Sequence, residues 1–81
     1  MNSETKTRKD CDQLIYMSAQ AMMEHGASLS MVLDRFLTFS AGQACLCDGA
    51  FNAAAAFRQI ADKIEAGTFA HLEPVQGERK H

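Results

Sequence analysis

The chain is short of aromatic residues: it has no tryptophan, one tyrosine and five phenylalanines among 81 residues. With 47% hydrophobic residues, five methionines and abundant alanine, that composition favours helices over strands and is too apolar for a disordered chain. No stretch approaches the roughly 20 consecutive apolar residues that a membrane span needs, and the opening "MNSETKTRKD" lacks the apolar core of a signal peptide. A cytoplasmic protein is therefore expected. Three cysteines, an odd number without an export signal, argue against a disulfide framework and for reduced thiols. There is no glycine-rich phosphate loop, no paired-carboxylate site and no H-E-x-x-H helix, so the expected chemistry is non-catalytic and without a cofactor.

Positive charge is also scarce where it would matter for nucleic acid. The first nine residues carry Lys6, Arg8 and Lys9 against Glu4, whereas residues 10–72 carry Arg35, Arg58 and Lys63 against seven acids. An acidic body behind a weakly basic leader is a poor match to duplex DNA, which requires clustered cations and several phosphate contacts. It suits a protein partner better.

What is present is helical periodicity. Cys11, Leu14, Ile15, Ser18, Ala21, Met22 and His25 recur at spacings of three, four and seven, which predicts a first helix over about 8–25. Tyr16, Met17, Ala19 and Met23 widen its apolar stripe beyond one face, as in a helix covered on more than one side. Gly26 suits the left-handed position after a helix end. Ser28 and Ser30 are both N-cap candidates for a second helix over 29–47, whose inner stripe reads Leu29, Val32, Leu33, Phe36, Leu37, Ser40 and Ala44. Gly42 within it implies either close approach of another backbone, the reading favoured here, or a frayed turn. After the Asp48-Gly49 step a third helix runs over 50–66, capped by Asp48 or Asn52 and closed by Gly67, with Ala50, Ala53, Ala54, Phe57, Ile60, Ala61 and Ile64 inward.

Beyond it, Phe69 and Leu72 are spaced for one further turn over 68–72, folded back across the open end and stopped by Pro74. Short connections between helices force antiparallel neighbours. The expected fold is an all-α, antiparallel three-helix bundle, up-down-up, spanning 10–72 between a flexible basic leader at 1–9 and a flexible tail at 73–81. Domains of about 60 residues bury only about 60% of the surface their unfolded chain exposes. So small a body cannot enclose every apolar residue in these helices, and self-association, most simply as a homodimer, is expected.

Each candidate site has a plain competitor. Cys45 and Cys47 in "GQACLCDGAFNAAAAF" could ligate zinc with His25, His71 or Cys11 if the segment were a loop; in a helix, residues two apart diverge by about 200° and cannot close on one ion. No recognised zinc spacing is present, so no metal is assigned. His25 as a base for a cysteine nucleophile lacks an orienting third group and oxyanion donors. The alanine run 53–56 either propagates a helix or admits a close neighbour. The apolar residues off the inner stripes, Met22, Met23, Phe39 and Phe51, with Asp34 and Arg35 on the rim, are the expected partner-binding set.

The functional expectation is a non-catalytic interaction module, a helical adaptor, antiactivator or inhibitor acting on a larger protein. Small acidic helical proteins of mobile elements offer an analogy of size and charge. Two other classes compete: a transcriptional regulator using helices two and three as a helix-turn-helix, and a thiol- or zinc-responsive protein. The candidate recognition helix carries Arg58 and Lys63 against Asp62 and Glu65, so its face is nearly neutral.

Overall fold

The computed structural model describes residues 3–74, and every regular element among them is helical: α1 over Ser3–Glu24, α2 over Leu29–Glu65, and a 3-10 turn over Ala70–Leu72. The chain is all-α. Among the described residues no helix is long and apolar enough to cross a membrane. The flexible tail expected from 73 onward lies outside the described residues except for Glu73 and Pro74.

α1 begins at Ser3, so residues 3–9 form its first turns instead of a free leader. Three cations near a helix N-terminus oppose the dipole, each by about 0.3–1 kcal/mol. Local pairing offsets part of that cost. Glu4 pairs with Arg8 at 3.3 Å and Lys6 with Asp10 at 3.1 Å, both at the i,i+4 spacing that is worth a few tenths of a kcal/mol on an exposed helix. The Thr7 hydroxyl donates to the Ser3 carbonyl at 2.8 Å.

α1 ends in a Schellman arrangement. The N–H of Ala27 donates to the Met22 carbonyl at 3.1 Å and that of Gly26 to Met23 at 2.9 Å, with Gly26 at φ 101°. These bonds satisfy two carbonyls that the helix end would otherwise leave without partners. Ser28 then caps α2, its hydroxyl accepting from the Met31 N–H at 3.1 Å. Ser30, the other cap candidate, lies inside α2.

α2 is interrupted at one residue. Gly49 has φ 83° and ψ 159°, so two helical segments, 29–48 and 50–65, meet at the Asp48-Gly49 step. That backbone region is essentially restricted to glycine. Asn52 does not act as an N-cap acceptor; its side-chain amide donates to the Asp48 carbonyl at 3.1 Å and serves the end of the preceding segment. The interruption folds the chain back, because Ala41 and Phe57 line one cleft of about 260 Å³. On an unbroken helix they would stand about 24 Å apart.

The chain divides into two compact units at Ser40 and Ala41. In the first, Val32 is buried at 1% exposure, with Ala19, Met22 and Phe36 half-buried. In the second, Ala53 is buried at 5% exposure, and Ala41, Ala44, Ala54, Ala55 and Phe57 are half-buried. The alanine run therefore provides close packing inside its own unit. Gly42 does not: a Cβ built there would meet nothing within 4 Å.

The second Schellman arrangement closes α2. Thr68 N–H donates to the Lys63 carbonyl at 3.0 Å and Gly67 N–H to Ile64 at 3.1 Å, with Gly67 at φ 92°. The 3-10 turn that follows leaves Leu72 71% exposed, so it buries no apolar end of the helices as expected from its Phe69–Leu72 spacing. A turn of three residues is too short to present a wide apolar stripe.

Candidate functional site

The first unit carries two neighbouring clefts on one side of its helix pair. One, of about 440 Å³, is lined by Ala21, Met22, His25, Ala27, Met31 and Arg35. The other, of about 400 Å³, is lined by Met22, Arg35, Phe36, Thr38 and Phe39. Met22 and Arg35 belong to both. Both are open grooves between side chains rather than enclosed pockets. Arg35 is also tied to Asp34 at 3.2 Å, with both side chains more than half exposed, so the groove edge carries a charge pair that solvent screens.

Of the six residues expected to contact a partner, four gather here or beside it. Met22 is half-buried and lines both grooves; i,i+3 spacing from Ala19 sets it on the helix–helix seam, within the stripe that the α1 periodicity marks. Phe39, 65% exposed, and the Asp34–Arg35 pair form the edge. Met23 is 47% exposed and, one residue on from Met22, turns to another side of α1. Phe51, 83% exposed, belongs to the second unit just after the Gly49 interruption.

Three stronger candidates escaped the sequence. Leu46, between the two cysteines, is 80% exposed. It stands two residues from Ala44, which is half-buried, and the helical period therefore turns it outward; that offset was readable. Leu33 and Leu37 were assigned to an inner stripe, yet both are more than half exposed. Two helices enclose only the seam between them, so a stripe wide enough for a three-helix core stays partly open.

The thiols have no assembled chemistry around them. Cys11, Cys45 and Cys47 are free and exposed, and Cys45 lines the alanine cleft of the second unit. Among the described residues no three His, Cys, Asp or Glu side chains gather within metal-ligating reach, and no polar or charged side chain is buried. His25 contributes to the groove with Met22 and Met31. The dominant property of both units is apolar surface: among the described residues sixteen large hydrophobic side chains are at least 40% exposed. No protein-family model, curated protein or solved structure matches the chain.

Proposed function

We propose that this chain is a non-catalytic protein-interaction module, a small helical adaptor, antiactivator or inhibitor that works in the cytoplasm by covering part of a larger protein. One observation carries the reading: the described residues bury two hydrophobic side chains and leave sixteen large ones exposed. Monomeric soluble proteins rarely expose apolar patches beyond a few hundred Å², and larger ones mark interaction sites. The partner-binding set is Phe39, Met22 and the Asp34–Arg35 pair around the two grooves, Met23 on another side of α1, and Phe51 with Leu46 at the Gly49 bend. Methionine-lined grooves adapt to a partner's shape because the unbranched side chain repacks at low cost. In this reading segments 3–24, 29–48 and 50–65 act as three antiparallel helices whose core is completed by association.

A photo-crosslinking side chain placed at Phe39 or Phe51 in the native host tests it. The expected result is a discrete adduct with one other protein, absent when the same group replaces exposed Gln20. Recovery of no specific adduct at either position would refute the module.

A further inference from the structure

We draw no further inference here: the strongest candidate, the pair of apolar grooves in the first unit that share Met22 and Arg35, belongs to the partner-binding surface already described, and with Arg35 tied to Asp34 at 3.2 Å nothing in the structure shows which occupant covers it.

Discussion

Replacing Gly49 by alanine tests whether one backbone position sets the course of the second half of the chain. Gly49 sits at φ 83° and ψ 159°, and a Cβ added there meets nothing within 4 Å, so the cost of alanine is conformational and not steric crowding by neighbours. Holding a non-glycine residue in that region costs about 1–3 kcal/mol. Alanine also favours a helix interior over glycine by about 1 kcal/mol. Together these bias Gly49→Ala toward an unbroken helix by about 2–4 kcal/mol, a 30- to 1,000-fold shift in population at roughly 1.4 kcal/mol per decade. The opposing contacts are small: the buried methyl of Ala53 and the partly covered alanines and Phe57 around it, at about 0.8 kcal/mol per fully buried carbon.

The variant is therefore expected to straighten in a large fraction of molecules. Spin labels at Gln43 and Gln59, in a background with Cys11, Cys45 and Cys47 replaced, report this directly when diluted with unlabelled protein. Sixteen residues of straight helix separate them by about 24 Å. Two arms packed side by side, with axes 8–10 Å apart, hold them within roughly 15 Å. A variant that keeps the short distance and the parent's stability would show that the glycine conformation does not determine the reversal.

Other substitutions follow from single contacts. Ser28→Ala removes the oxygen that accepts from Met31 N–H and should cost about 1 kcal/mol in urea unfolding followed by circular dichroism. Gly42→Ala should stabilise by about 1 kcal/mol in the same assay, since it improves helix propensity and meets open space; a loss of stability would mean that another chain approaches closely there. Val32→Ala should cost about 2 kcal/mol, as a truncation at the most enclosed side chain, and an effect below 0.5 kcal/mol would remove Val32 from the seam. All three cysteines should react with a thiol reagent in the native protein without denaturant; a silent thiol would locate a covered surface at its position.

Local chemistry was legible where it depends on neighbours in the chain. Gly26 and Gly67 as helix ends, Ser28 as a cap and the Asp48-Gly49 break all follow from steric and hydrogen-bonding preferences acting over four or five residues. α1 starts at Ser3, ahead of the boundary near 8 that periodicity gives, because the apolar stripe begins only at Cys11 while the polar turns before it are joined by the i,i+4 pairs Glu4–Arg8 and Lys6–Asp10. Gly42 stands apart for a different reason: within the chain a Cβ there would meet nothing within 4 Å, and only the three-dimensional neighbourhood tells whether a missing side chain is a space for something else or simply a missing side chain.

The amino-acid order alone carried the all-α class, the helix boundaries near the glycines and the excess of apolar residues over what so small a body can enclose, because propensity and composition are sums over local terms. Which apolar residues are covered was decided by packing. An apolar stripe identifies a face that avoids water but not the element that shields it, so Leu33 and Val32, adjacent in one helix and both assigned inward, end at 52% and 1% exposure. The same distinction separates Met22, half-buried in the grooves, from Met23 on another side of α1, and places Leu46, which the stripes did not include, and Phe51, expected among the partner-binding residues, on the most exposed apolar surface of the second unit. Burial depends on the positions of two surfaces at once, and a single helix's periodicity describes only one of them.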